Sequence, residues 1–337
     1  MYRILSLFDG VSACQVALKN LGIEYDYFAS EIDPYAIKVT QANFPNTVQL
    51  GNVKDIAFSK MEIFDKFLML KKRKKILTLR TKKFECIREL ELFDILCGGS
   101  PCQDISIAKK DRKGLEGERS GLFFEYVRIL NEVKPKFFIL ENVASASKDV
   151  IKEMTSHLYG IEPIIINSAL LTAQQRKRIY FVGALQSDGT YKKVEIEHPQ
   201  DKNKTVWEIL ELDPNIKVEN FDDFIQTSED RVNGLLGFYK TTKRLGHFNS
   251  GGQGDRVYSR FGKSVCLSAN GGGRGAKCGL YLTKRNEIRK LTVNECCKLQ
   301  GFPIDYVSSV SKTQGYKALG NSFTVPVIEH ILKTILK

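Results

Sequence analysis

Hydrophobic and polar positions in the first 45 residues change period three times. "RILSLF", residues 3–8, reads as a buried strand stopped by Asp9-Gly10. "SACQVALKNLG", 12–22, spaces its apolar residues along one helical face and stops at Gly22. "YDYFASEID", 25–33, reads as a second strand, and "PYAIKVTQANF", 34–44, as a helix opened by Pro34. Strand, helix, strand, helix predicts parallel strands joined by crossover helices. The rhythm resumes with strands at "FDILCGG", 93–99, "KFFILENV", 136–143, and "RIYFVGAL", 178–185. Between them, "GLFFEYVRILNEV", 121–133, and "IKEMTSHLYG", 151–160, read as helices. The expected fold class is α/β, a Rossmann-like, doubly wound, mostly parallel sheet. From about 190 to 285 the alternation gives way to Gly, Asn and Lys with short β-like runs such as "RVYS" and "SVCLSA". That predicts a smaller, irregular, β-rich domain. The closing "YKALGNSFTVPVIEHILKTIL" returns to a turn and a helix whose apolar face needs a partner, so it is expected to rejoin the first domain. The division is then 1–188 with 312–337 for the larger domain and 189–311 for the smaller.

Composition narrows this picture. The chain has 337 residues, 42% of them hydrophobic, enough for one large domain or two ordinary ones. No apolar run approaches the roughly 20 residues of a membrane span. The N-terminal "MYRILSLFDG" has no basic leader or small-residue cleavage site, so no signal peptide is expected. A net charge of +12, from 51 Lys and Arg against 39 Asp and Glu, points to a polyanionic partner, although an indifferent basic surface carries the same excess. None of the eight cysteines forms a C-x-x-C pair or sits near His at zinc-ligand spacing. They read as reduced thiols in a reducing compartment, most of them small buried hydrophobes, with no metal site. "KKRKKILTLRTKK", 71–83, reads as a solvated insertion between strands, with DNA contact the sharper alternative.

Doubly wound sheets bind ligands beyond the C-terminal ends of their strands. Phe8-Asp9-Gly10, Glu31, Pro101-Cys102 and Glu141-Asn142 all fall at such ends. The first turn has one glycine for close backbone approach but no lysine for phosphate, and Glu31 is placed to accept from a ribose diol. This suits a nucleoside cofactor without a pyrophosphate, such as S-adenosylmethionine. Cys97 lies inside its strand and reads as core. Cys102 follows Gly98-Gly99-Ser100-Pro101, a corner poorly suited to burial, and a thiolate there is a nucleophile. A carboxylate at Glu141, after four apolar residues, is costly to bury unless paired or functional. Arg176 and Arg178 share one face at strand spacing and suit phosphates or carboxylates.

In this order, and over nearly the whole chain, these segments resemble the cytosine-C5 DNA methyltransferases. "FDGVSA" resembles the first cofactor motif at Phe8, Gly10, Val11 and Ser12, although Ser12 and Ala13 stand where the family often has glycine. "SEID" resembles the ribose-binding motif at Glu31 and Ile32, and "LGNVKDI" the adenine-contacting one at Asn52 and Val53. Asn52 replaces the usual Asp, and Asp55 is an alternative for its role. "GGSPCQDIS" resembles the nucleophile motif at Pro101-Cys102, and "RSGLFFEYVRIL" the helix after the catalytic loop, bringing Leu122. "ENV" and "QQRKRIYFVG" match at Glu141, Arg176 and Arg178. "RKLTVNECCKLQGFP", 289–303, resembles the segment supporting the recognition domain. "ALGNSFTVPVI", 318–328, resembles the motif that returns to the cofactor pocket through Asn321 and Ser322.

The resemblance implies methyl transfer from S-adenosylmethionine to C5 of cytosine, with S-adenosylhomocysteine as product. Cys102 adds to C6 to activate C5, Glu141 acts at N3, and Arg178, or second Arg176, holds the base carbonyl. The base must leave the duplex to be reached. Residues 103–121 read as a lid, with Gln103, Ser106, Lys109 and Arg112 on DNA beside Lys110 and Lys113. Residues 250–281 resemble a recognition segment in which Gln253, Arg256, Asn270 and Gly272 meet DNA, Gln253 filling the vacated space. The smaller domain is then the target-recognition domain. Implied partners are double-stranded DNA and a possible cognate restriction endonuclease, with no membrane, in the cytoplasm of a bacterial or phage-infected cell, as a monomer. An RNA cytosine-C5 methyltransferase uses the same motifs and is the first alternative. A non-catalytic DNA-binding homologue is the second, and it predicts loss of Cys102, Glu141 or the arginine motif, all of which are present.

Overall fold

The computed structural model describes residues 1–56, 93–100, 121–212, 215–227, 239–269, 274–275 and 277–336. The basic run 71–83, Pro101, Cys102, the four DNA candidates Gln103, Ser106, Lys109 and Arg112, and Asn270 and Gly272 lie outside the described residues.

The larger sheet is built from β1 (Tyr2–Leu7), β2 (Tyr25–Ser30), β3 (Val48–Gln49), β4 (Ile95–Gly98), β5 (Phe137–Val143), β6 (Ile164–Asn167), β7 (Lys177–Leu185) and β8 (Tyr191–Lys193). Its order is β3-β2-β1-β4-β5-β7-β6, with β8 also on β7. The first five strands run parallel, and β7 runs antiparallel to β5, β6 and β8. This is the expected doubly wound, mostly parallel sheet. In register, Leu7 faces both Ser30 and Gly98, and Gly98 faces Leu140, so four strand ends form one rim. Order reverses between β1 and β4, and that switch point opens a crevice.

Helices cover both faces. α1 (Ala13–Asn20) follows β1, α2 (Pro34–Asn43) follows β2, α3 (Leu122–Val133) precedes β5, and α4 (Lys148–His157) follows it. α3 turns Phe123, Tyr126, Ile129, Leu130 and Val133 into one core. α1 lies over the opposite core. The C-terminal helix, here α8 (Val325–Ile335), packs on α1 and buries Val327, Ile328, Ile331 and Leu332 there. Between β8 and α8 come α5 (Val206–Ile209), the second sheet, α6 (Val293–Gln300) and α7 (Lys312–Asn321).

The second sheet contains β9 (Ile225–Gln226), β10 (Arg244–His247), β11 (Arg256–Tyr258), β12 (Leu280–Leu282) and β13 (Ile288–Lys290), side by side in reverse order. It has its own small core of Leu245, Phe248, Val257, Leu280, Leu282 and Ile288.

Several boundaries differ from the sequence reading for identifiable reasons. β2 stops at Ser30 because the Glu31 carboxylate takes the next two backbone N–H groups, ending the ladder. α4 starts at Lys148, not 151, because the Ser147 hydroxyl caps it by accepting from the Val150 N–H at 3.3 Å. "SVCLSA" is not a strand of the small sheet. Ser264 bridges Gln174 instead, and the Leu267 N–H is taken by the Gln174 side chain at 2.9 Å, so no ladder continues. The large sheet also runs past residue 188, since Tyr191 pairs with Leu185 and its hydroxyl donates to the Pro135 carbonyl at 2.7 Å. Strands of two to four residues, such as β3 and β6, are too short to show a period. Among the described residues no helix is long and apolar enough to cross a membrane.

One buried ion pair joins the second sheet to α6. Arg289 on β13 and Glu295 on α6 are 1% and 0% exposed and meet through two bonds of 2.9 and 2.8 Å. Glu295 also closes a capping box with Thr292 and accepts from the Glu211 N–H. Glu295→Ala strands the Arg289 charge and uncaps α6. We expect a loss of about 3–5 kcal/mol in urea unfolding, against much less for an exposed control such as Lys152→Ala.

Candidate functional site

The rim of the large sheet borders a cleft of about 300 Å³. Its floor begins with the β1–α1 turn, where Phe8, Gly10 and Ser12 all have left-handed backbones, at φ of 57°, 60° and 56°. Glycine alone adopts that conformation without strain. This tight path points the Gly10 N–H at Glu31, which accepts it at 2.8 Å through Oε2. The other carboxylate oxygen, Oε1, accepts from Ile32 and Asp33 at 2.7 and 2.8 Å. Glu31 is therefore fixed by three backbone N–H groups, while Oε2 keeps a lone pair.

Phe8, Gly10, Val11, Glu31, Ile32, Asn52, Val53, Leu122 and Asn321 all border this cleft. Ile32 stands 69% exposed, an apolar face unusual for so large a side chain unless something lies against it. Asn52 caps the short turn Val53–Asp55 by accepting from the Lys54 N–H at 3.1 Å. Asp55 is exposed and does not line the cleft. Two expected cofactor residues sit behind the wall. Ser12 is fully buried, bonded to Asp9, Thr40 and Gln15. Ser322 is buried, and its hydroxyl donates to the Phe323 carbonyl at 3.0 Å.

The deeper end holds the acid and the arginines. Arg178 Nε lies 2.9 Å from Glu141 Oε1, with the two side chains 16% and 12% exposed. The pair forms because β7 is antiparallel to β5. Arg178 sits opposite Val143, and Glu141 is its diagonal neighbour on the same face. Arg176 does a different job. Its guanidinium donates to the carbonyls of Leu267 at 3.4 Å, Gly320 at 3.2 Å and Ser322 at 2.8 Å. It is a buried tie between the start of β7, the segment at 266–267 and the C-terminal turn.

Glu141 also abuts the end of β4. A Cβ at Gly99 would lie 2.6 Å from Phe323 Cε1 and 3.1 Å from Glu141 Oε2. Ser100, the residue before Pro101, is 4% exposed and accepts from the Asn142 amide at 3.2 Å. The chain therefore departs toward Pro101-Cys102 from beside the Glu141–Arg178 pair. Gln253 and Arg256 are elsewhere. Gln253 starts the exposed turn Gln253–Asp255 between β10 and β11, and Arg256 Nε donates to the Gly251 carbonyl at 3.2 Å.

Sequence reasoning missed Ser100, Asp33 and Lys317. Asp33 before Pro34 carries a helix-cap signal, and it does cap α2. Its ion pair with Lys317, 3.0 Å long, joins segments 284 residues apart and leaves no local signal.

Strand order, the carboxylate ending β2 and the acid–arginine pair beside the end of β4 define a methyltransferase of the Rossmann-like α/β type with a second, smaller sheet. The sequence model of the C-5 cytosine-specific DNA methylases matches residues 2–337, and the chain belongs to that family. It is accordingly an enzyme, a DNA cytosine-C5 methyltransferase. Among its relatives, type II methyltransferase M.HhaI of Haemophilus parahaemolyticus is 32% identical over 99% of this chain and 94% of that protein. Type II methyltransferase M.Bsp6I of Bacillus sp. is 30% identical over 100% and 99%. The fold is shared with the Entamoeba histolytica methyltransferase EhMeth, at a TM-score of 0.64 and 18% identity, covering 100% of this chain and 98% of that one.

The cofactor turn contains one perturbed acid. Asp9 accepts from Ser12 and, at 2.7 Å, from the Tyr27 hydroxyl. Desolvation pushes its carboxyl from 3.8 up to about 6, against the pull of these hydrogen bonds. A raised acid favours folding below about pH 4, and that contribution is lost as pH rises through 6. Asp9→Asn removes this titration. Relative to the parent, the variant should gain up to about 3 kcal/mol between pH 4 and pH 7, read as a pH series of urea unfolding curves. A flat difference would mean that Asp9 does not titrate there.

Proposed function

We propose that the enzyme takes a methyl group from S-adenosylmethionine to C5 of a cytosine turned out of double-stranded DNA, through a transient bond between Cys102 and C6. The observation that carries this reading is the Glu141–Arg178 pair, packed against Gly99 at the end of β4.

The cleft fits the cofactor. The Glu31 Oε2 lone pair suits a ribose diol, Ile32, Val53 and Leu122 give apolar walls for a purine, and Asn52 lies at its edge. The one lysine among the described cleft residues, Lys317, is paired with Asp33 at 3.0 Å. When bound, S-adenosylmethionine supplies an electrophilic methyl group on a sulfonium. The rest falls to residues of this chain.

C5 of cytosine is a poor nucleophile until C6 is saturated. Cys102, as thiolate, attacks C6 and pushes charge into the ring. Glu141 holds a proton toward N3, where that charge gathers. Arg178 engages Oε1, which leaves Oε2, the oxygen beside Gly99, for the base. After methylation the C5 proton departs, Cys102 is eliminated, and the ring is restored. C6 of a stacked base is out of reach of a thiol, so flipping precedes attack. Gln253, on its exposed turn, is assigned to the emptied space in the duplex, and Arg256 to base edges. Residues 103–121 act as the lid.

Bisulfite sequencing of DNA from cells expressing the intact chain should reveal 5-methylcytosine in one short sequence, and Cys102→Ala should abolish it. No gain with the intact chain would sink the DNA reading, and the same assay on tRNA would then test the RNA one. Glu141→Gln should lower kcat by about 10²- to 10⁴-fold with little change in DNA affinity. Gln253→Gly should weaken binding of the cognate duplex while leaving the melting temperature unchanged.

A further inference from the structure

The cofactor cleft uses only one side of α7. Gln314, Lys317, Ala318 and Asn321 face it, whereas Lys312, Thr313 and Tyr316 line a second cavity of about 930 Å³. This cavity is bounded by α7, the start of α6, the end of β13 and the turn before β12. It takes no part in the reaction derived above.

Its lining is unevenly charged. Lys217, Lys277, Lys290 and Lys312 enter from four separate segments, and none forms an ion pair among the described residues. Lys277 donates to the Ala269 carbonyl at 2.5 Å, and Lys290 lies 5.6 Å from the centre of the Tyr316 ring. The two carboxylates present are already engaged. Glu211 accepts from the Thr292 hydroxyl at 2.9 Å, and Asp305 from the Asn294 amide at 3.0 Å. The N-terminus of α7 adds to the positive side. The Ser311 hydroxyl caps it by accepting from the Gln314 N–H at 3.4 Å, and its first turn carries no acid, so the helix dipole stays positive there. Lys277 is also held below the usual lysine range, by burial first and then by Lys317, and a bound anion would relieve that pressure.

The chemistry of the donors selects among anions. Among the described residues no arginine lines the cavity, so none supplies the planar fork that suits a carboxylate, whereas several ammonium groups suit phosphate. A duplex presents its phosphates on a convex surface. Four lysines lining one concavity instead match adjacent phosphates on one short chain. The size lies within the range of small-ligand sites, and Ile216, Leu291, Val293, Val307 and Val310 provide apolar wall beside the lysines.

We propose that this cavity binds a polyphosphate chain, at a site separate from the cofactor cleft and sharing α7 with it. Two sources supply that chemistry, a nucleoside triphosphate and inorganic triphosphate. The apolar wall predicts that the nucleoside form binds more tightly.

The test is calorimetric titration of the full chain with ATP, and separately with inorganic triphosphate, in saturating S-adenosylhomocysteine so that the cofactor cleft is filled. We expect one saturable site with a Kd below about 1 mM. The double variant Lys290→Ala/Lys312→Ala, both positions exposed, should weaken ATP binding by about tenfold or more, while Lys152→Ala on α4 changes nothing. Circular dichroism checks the fold of each variant. Equal affinity for the two probes supports the site and assigns it to the phosphate chain alone. Absence of saturable binding overturns the proposal, as does ATP binding that the double variant leaves intact. Loss of duplex DNA affinity in the double variant, with no ATP binding by the parent, overturns it in favour of a DNA-contacting surface.

Discussion

The active cleft depends on the direction of β7. In a wholly parallel sheet, the end of one strand lies beside the end of its neighbour, and each strand begins on the far side. β7 is reversed, so its first residues arrive where β5 finishes, and Arg178 comes to lie opposite Val143. Glu141, at the end of an apolar strand, thereby gains the cation that makes its partial burial tolerable. Were β7 parallel, that carboxylate would face the cleft alone and the arginine motif would sit on the far edge of the sheet. The same reversal brings Arg176 to the C-terminal turn, whose carbonyls it holds.

The cofactor end works by another principle. Glu31 and Asp9 are held chiefly by backbone N–H groups and hydroxyls, while Asp33 adds a lysine to its backbone bond. Groups fixed by backbone cannot swing away when a ligand leaves, so the Glu31 carboxylate keeps its place whether or not the cleft is filled. The left-handed turn at Phe8, Gly10 and Ser12 is what aims the amide at Glu31. Its strain is tolerated because the buried Ser12 hydroxyl ties the turn to Asp9 and Thr40.

Much of this was legible in the sequence, and the exceptions follow a rule. The long strands and helices of the first half announce themselves by period, since each exposes a distinct apolar face. The clustering of Gly10, Glu31, Glu141 and the β4 corner at one rim follows from strand ends alone. Sequence also put Arg176 and Arg178 on one face, but it could not separate their jobs. That distinction depends on carbonyls at residues 267, 320 and 322, far along the chain and invisible as side chains. The strands of the second sheet are two to four residues long, below the length at which alternation shows. "SVCLSA" looked like a strand because its composition is β-like, yet its partner is the segment before β7. Ser12 and Ser322 carry motif positions but spend their hydroxyls inside the protein.

The chemistry of the Arg176 tie has a consequence for which substitutions it tolerates. Its oxygen acceptors at Leu267 and in the C-terminal turn are main-chain carbonyls, and Ser264 joins Ala173 and Gln175 through backbone bonds too. A carbonyl is present whatever residue bears it. The joint therefore depends on side-chain identity where Cys266 Sγ accepts from Arg176 at 3.4 Å and where Leu267 is buried, while its backbone bonds along 264–267 survive a change of residue and keep their grip on the catalytic half.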